Sequence, residues 1–97
     1  MKFGLFGGAR TDPGGQASDS RIYTDYIDYI CEAEQPGLHR VFLVEHHFTG
    51  FGQVSATINF LTYLAAKTST LRLGTAVLVL PWHNPALLAE QAATLDL

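Results

Sequence analysis

The sequence predicts an α/β fold built on a parallel β-sheet, and three observations lead to this prediction. Short apolar runs alternate with segments of helical periodicity along the 97 residues, in the order β-α-β-α-β-α. The middle run, 40–45, is almost wholly apolar, which is typical of a parallel strand buried on both faces. Asn84 and Pro85 are the N-cap and first-turn residues that open many helices. We expect βαβ units within a single domain over residues 1–97.

Each predicted element has its own boundary signals. The strands are predicted over 2–6, 40–45 and 71–78, and the helices over about 20–35, 55–67 and 85–97. Asp19 or Ser20 is expected to cap the first helix and Ser55 the second. Pro36 and Gly37 are expected to end the first helix, because the residue before proline avoids helical dihedrals.

Composition excludes several classes of protein. The chain is 47% hydrophobic and 15% charged, which indicates a globular domain. A net charge of -3 without a basic stripe argues against a nucleic-acid partner. Cys31 is the single cysteine, so no intrachain disulfide can form. No signal peptide or membrane-spanning run is recognised, and we expect a soluble, cytoplasmic protein with no membrane partner.

The length conflicts with a self-contained parallel sheet. Three strands and three helices cannot cover both faces and both edges of such a sheet, and a complete (β/α)8 barrel takes about 250 residues. We therefore expect the 97 residues to be a fragment of a larger domain.

The candidate chemistry lies where the predicted strands end. The segments 7–10, 45–48 and 80–83 each follow a strand, and in a parallel α/β fold these ends share one rim. Glu45, His46 and His47 form the densest group of proton-handling side chains. The alternative to a functional role is that one of these two histidines bonds to a loop carbonyl and the other is solvated. A metal site is disfavoured, because adjacent side chains leaving a strand point apart and no ligand set is complete.

The glycines admit two interpretations. Gly74, near the start of the third strand, indicates either tight strand–helix packing or close approach of a flat ring to the backbone. Gly7 and Gly8 do not complete the dinucleotide-binding pattern, which makes a nucleotide-binding, doubly wound domain the weaker alternative. Phe48 and Trp82 could wall an apolar pocket.

Three stretches resemble the bacterial-luciferase-like flavin monooxygenases: 1–4, the run EHHFTGFG over 45–52, and LGTAVLVLP over 73–81. The similarity covers nearly the whole chain and about the first third of a family member. It implies the first three βα units of a (β/α)8 TIM barrel. It also implies an oxidoreductase that uses reduced FMN and O2 to oxidise a small organic substrate, with the cofactor supplying the redox chemistry.

The resemblance also assigns roles to residues. His46 takes the family's acid–base role, with His47 and Glu45 as supporting groups. The flavin is expected against the third strand, at Gly74, Thr75, Ala76 and Val77, where the family commonly has a cis peptide, here Ala76–Val77. The flavin-phosphate ligands are expected beyond residue 97, so we expect this chain alone to bind FMN weakly and to show no turnover.

Other outcomes of the resemblance stay open at this point. The cofactor could be the deazaflavin F420 in place of FMN, or the chain could be a non-catalytic flavin-binding or dimerisation module. A flavin reductase is the expected partner. A homodimer is expected through helices 55–67 and 85–97, where small residues would allow close approach or would instead pack on the barrel. These residues are Ala65, Ala66, Ala89, Ala92 and Ala93.

Overall fold

A computed structural model describes residues 1–10, 14, 17–49 and 54–97. Strands alternate with helices, as predicted. The elements are β1 (Gly4–Gly7), α1 (Asp19–Glu34), β2 (Arg40–Leu43), α2 (Thr57–Ala65), β3 (Arg72–Thr75), a 3-10 helix η1 (Leu80–Trp82) and α3 (Pro85–Leu95).

The three strands form one parallel sheet in the order β1-β2-β3. Phe42 in the middle strand pairs with Phe6 on one side and Gly74 on the other. The carboxyl ends of the three strands therefore lie at the same edge of the sheet. Backbone hydrogen bonds continue past the last residues of the strands. The Val44 N–H donates to the Gly7 carbonyl at 3.0 Å, and the Ala76 N–H donates to the Leu43 carbonyl at 2.7 Å. The parallel topology confirms the predicted fold class.

The hydrophobic core lies between one face of this sheet and helices α1 and α2. Alternation along β2 turns Val41 and Leu43 to that face, where both are fully buried. The helices contribute apolar side chains at helical spacing. The cluster consists of Ile30, Val41, Leu43, Leu61, Leu64 and Leu71.

The other face of the sheet is largely open in this chain. Phe6 is 72% exposed, Phe42 is half-buried, and Arg40 is exposed with its guanidinium over the Phe42 ring. The predicted burial of the middle strand on both faces is therefore wrong for the chain as it stands. The apolar run is suited to a second covering layer that these residues do not supply.

The helix starts follow their capping chemistry, with two corrections. Asn84 accepts from the backbone N–H groups of Ala86 and Leu87, as predicted. The first helix is capped one residue earlier than expected, because the Ser18 hydroxyl accepts from the Arg21 N–H. The second helix begins at Thr57 with no side-chain cap, so the prediction for Ser55 is wrong.

The third strand is shorter than the predicted 71–78. Its ladder ends at Thr75, and the next peptide bond, Ala76–Val77, is cis. The chain then turns into the short helix η1, in a stretch whose last residues were expected to be loop. The cis bond lies at the position implied by the family resemblance.

Glu34 fastens the end of α1 to the segment that enters β3. Its Oε1 accepts from the Ser69 and Leu71 N–H groups at 2.9 Å, from the Thr70 N–H and from the Thr70 hydroxyl. These bonds, led by the one from the Thr70 backbone, lower the Glu34 pKa to about 2. In the part of the chain that the structure describes, no helix is long and apolar enough to cross a membrane.

Candidate active site

A cavity of about 530 Å³ opens at the carboxyl edge of the sheet, a volume in the usual range for small-molecule sites. Its walls come from the ends of all three strands. The predicted segments 7–10 and 45–48 contribute to the lining, whereas 80–83 does not and instead contacts Glu45 and His47. The lining residues are Phe6, Gly7, Gly8, Arg10, Tyr26, Val44, Glu45, His46, Ala76 and Val77.

Glu45 is the polar centre beside this cavity. Its side chain is fully buried, and both oxygens are occupied. Oε1 accepts from His47 Nε2 at 2.6 Å and from His83 Nε2 at 2.9 Å, while Oε2 accepts from the Val79 N–H at 2.8 Å. The carboxylate thus ties the end of β2 to the chain that follows β3.

The charge of Glu45 is stabilised by these donors. Burial alone raises a carboxyl pKa, because it removes water from the ionised form. Here the hydrogen bonds from His47, from the Val79 backbone and from His83 outweigh burial and leave the Glu45 pKa below its usual value. The buried group is therefore an anion at neutral pH.

Two exposed aromatic side chains, Trp82 and Phe48, lie against the His47 ring. The His47 ring stacks on Trp82, with centroids 4.7 Å apart and planes inclined by 22°. Phe48 lies 5.7 Å from the same indole, and its backbone has a positive φ of 55°. Phe48 itself is 93% exposed, so it borders solvent and does not seal the cavity.

His46 and His47 have different surroundings. His46 is exposed and lines the cavity, while its backbone N–H donates to the Val54 carbonyl at 2.9 Å. His47 is mostly buried against Glu45 and Trp82. The triplet of proton-handling groups is therefore divided, with one imidazole in the cavity and the other in the Glu45 hydrogen bonds.

The four residues expected against the flavin are also divided. Ala76 and Val77 line the cavity beside His46, and Val77 is 65% exposed there. Gly74 and Thr75 line a different depression, between β3 and helices α2 and α3. A Cβ on Gly74 would lie 2.7 Å from the Phe42 ring, so packing within the sheet accounts for this glycine.

His83 is a member of the site that sequence reasoning did not single out. The segment 80–83 was expected on the rim, but its histidine was given no role. It lies 38 positions from Glu45 and bonds to it directly. Its position after the third strand was the one feature of the sequence that could have indicated that His83 belongs to the site.

The cavity has both apolar and polar lining residues. Apolar walls from Phe6, Val44 and Val77 face polar groups on Arg10 and His46, the usual composition of a cofactor pocket. Within the described residues, no group of His, Cys, Asp or Glu could hold a metal ion.

Comparison with known proteins identifies the family. The sequence model of the luciferase-like monooxygenase family matches residues 1–97, and the chain therefore belongs to this family.

Several relatives extend the comparison. The chain is 37% identical over 97 residues to a luciferase-like monooxygenase of Escherichia coli K12, and it spans 28% of that protein. It is 34% identical over 96 residues to the alkanal monooxygenase alpha chain of Photorhabdus laumondii, of which it spans 26%.

A solved structure agrees with the fold. The monooxygenase RslO1 from Streptomyces bottropensis matches 99% of this chain with a TM-score of 0.86 and 31% identity, and 29% of its own length is covered. The observed units are therefore three consecutive βα units of a luciferase-like barrel.

Proposed function

We propose that this chain supplies the His46 side of the active site of a flavin-dependent monooxygenase, which uses reduced FMN and O2 to oxidise a small organic substrate. The observation that carries the proposal is the shared cavity of His46, Ala76 and Val77 at the carboxyl edge of the sheet. Membership of the luciferase-like family and relatives named as monooxygenases support it.

The bound cofactor and the residues of the cavity would have separate roles. Bound reduced flavin would supply the electrons that activate O2. His46, exposed within the cavity, would move a proton to or from the reacting groups. Phe6 and Val77 would exclude water from the cavity. The buried Glu45 would hold the His47 imidazole away from the cavity contents through their hydrogen bond.

Alkanals are the substrates to try first, since one relative is named an alkanal monooxygenase. The described residues offer an apolar cavity edge at Phe6 and Val77 for an alkyl chain and His46 for the carbonyl end. A flavin reductase would provide the reduced cofactor, and the cytoplasm is where both would meet.

Catalysis can be tested in a chimera, because this chain aligns with about a quarter of the Photorhabdus laumondii alpha chain. Residues 1–97 would replace the aligned segment, and alkanal oxidation would be measured with reduced FMN. The chimera should oxidise alkanals, and His46→Ala should lower the rate by about 100-fold or more, the usual worth of an acid–base group. His39→Ala, at the opposite end of β2, is the control and should retain the rate.

Two results would contradict the proposal: a folded chimera without alkanal oxidation, or an undiminished rate after His46→Ala. The 97-residue chain alone is expected to bind FMN weakly and to show no turnover, because it lacks the expected phosphate ligands. Oxidation of alkanal by the isolated chain would contradict that part. Parallel titrations with FMN and F420, followed by fluorescence, would decide between the two cofactors.

A second candidate function is assembly, with the chain as a flavin-binding or dimerisation module. The five alanines named for the helix interface are all exposed, so they are available to a second copy of the chain. Tyr63 and Leu87, on the same two helices, are also about half exposed.

Sedimentation should accordingly show a homodimer. Ala89→Arg should shift it to monomer without changing the far-ultraviolet circular dichroism, because the residue is exposed. Asp28→Arg, on the exposed surface of α1, is the matched control. A wild-type chain that is monomeric at high concentration would contradict the assembly proposal.

A further inference from the structure

Two consecutive residues, Trp82 and His83, contact His47 and Glu45 from the far side of the cavity wall. Trp82 stacks on the His47 ring at 4.7 Å. His83 donates to the same Glu45 oxygen that accepts from His47, at 2.9 Å and 2.6 Å. One short turn after β3 therefore holds both the ring face of His47 and the carboxylate to which it is bonded.

We infer that His83 is a positioning residue: through Glu45 it holds the His47 imidazole and the segment from Ala76 to Val79, and it leaves His46 as the imidazole that meets the cavity contents. The role of His46 rests on the proposed function. The arrangement of His83, Glu45 and His47 does not, because it follows from hydrogen bonds within this chain.

The bonding fixes where the protons reside. An ionised carboxylate oxygen can only accept, so the Nε2 atoms of His47 and His83 must both be donors. When neutral, each of these rings therefore carries its proton on Nε2 and presents a bare Nδ1. His46 has no such restraint from Glu45, whose oxygens already accept these two donors and the Val79 N–H.

The burial of Glu45 explains why all three donors matter. A carboxylate with no exposed side-chain surface is costly unless it is fully hydrogen-bonded. Val79 lies two residues beyond the Ala76–Val77 bond, so its contact with Oε2 places that part of the cavity wall. Removal of the His83 donor should therefore loosen both His47 and Val79.

The test compares two substitutions in the 97-residue chain, without flavin. His83→Phe keeps a ring of similar volume but removes the donor. His83→Gln retains an N–H donor at a similar reach. Long-range proton–nitrogen NMR spectra report the imidazole protons, and amide hydrogen exchange reports Val79.

In the unsubstituted chain, His47 and His83 should both show the Nε2–H form. His83→Phe should accelerate Val79 exchange by roughly tenfold or more, the factor that one charged hydrogen bond gives. It should also speed the exchange of the His47 Nε2–H proton with water, whereas His83→Gln should restore both. His46→Gln is the matched control and should leave Val79 and His47 unchanged.

Unchanged Val79 and His47 signals in His83→Phe would overturn the inference, as would an Nδ1–H form of His83 in the unsubstituted chain. If His83→Phe does not fold, His83→Gln decides: altered His47 signals there overturn the inference. Because no flavin is present, these results are independent of whether the chain proves to be part of a monooxygenase.

Discussion

Glu34 and Glu45 are two carboxylates that each connect neighbouring βα units, but they do so with different partners. Glu34 joins the end of α1 to residues 69–71 and accepts from backbone N–H groups and a hydroxyl. Glu45 joins the end of β2 to the chain after β3 and accepts from two imidazoles and one backbone N–H.

The two connections differ in their donors and in their surroundings. Donors that keep their protons at every accessible pH, such as those around Glu34, serve the fold alone. The imidazole donors around Glu45 lie beside a cavity of about 530 Å³. The same arrangement, a carboxylate surrounded by hydrogen-bond donors, thus occurs once before β3 and once beside the cavity.

The largest effect is expected from Glu45→Leu. The substitution leaves His47, His83 and the Val79 N–H without their acceptor in a buried place, and it should lower the free energy of unfolding by about 3 kcal/mol or more. Urea denaturation followed by circular dichroism measures this. Glu32→Leu, on the exposed surface of α1, is the control. A loss as small as that of the control would show that the buried carboxylate does not hold the strand ends.

The next effect is a pH dependence due to Glu34. Its pKa falls from 4.5 to about 2 on folding, so its stabilisation is complete above about pH 4.5. Stability is then lost as pH falls from about 4.5 toward 2, because the unfolded state takes up a proton that the folded state does not yet bind. Glu34→Gln should flatten the stability profile between these limits, as measured by urea midpoints at a series of pH values. An unchanged slope would place the acid sensitivity elsewhere.

The smallest effect is expected from Thr57→Val, near the Glu45 end of the sheet. The buried Thr57 hydroxyl donates to the Val44 carbonyl at 3.0 Å. Valine keeps the shape and removes this bond, so the free energy of unfolding should fall by about 1 kcal/mol. Thr62→Val, whose hydroxyl bonds within an exposed turn of α2, is the matched control. Equal losses of unfolding free energy in the two variants would show that the buried hydrogen bond of Thr57 contributes no more than the exposed one of Thr62.

Much of the fold was predictable because it depends on local patterns. Apolar runs and helical spacing predicted the alternation of elements, and Asn84 with Pro85 predicted the start of α3. Strand lengths were less predictable: the β3 ladder ends at Thr75, and the chain then turns into η1. The prediction that both faces of the sheet are buried was wrong, because the residues that the structure describes supply a covering layer for one face alone.

The candidate site was predictable in location but not in its hydrogen bonds. Glu45, His46 and His47 are adjacent in sequence, which suggested one functional unit. In the structure, His47 bonds to Glu45, whereas His46 lines the cavity without bonding to Glu45. The partner His83 is distant in sequence and joins them only through the fold. Pairwise contacts of this kind are set by tertiary packing and leave no local pattern.

The most direct test of the account is an NMR titration of the 97-residue chain with riboflavin, which carries the flavin ring without the phosphate. If the cavity at the carboxyl edge holds the ring, even weakly, shifts that grow with riboflavin concentration should appear at His46, Ala76 and Val77. The amides of 69–71, held by Glu34, should stay unchanged. Shifts confined to the depression around Gly74 and Phe42, or shifts at 69–71 as large as those at His46, would contradict the central claim.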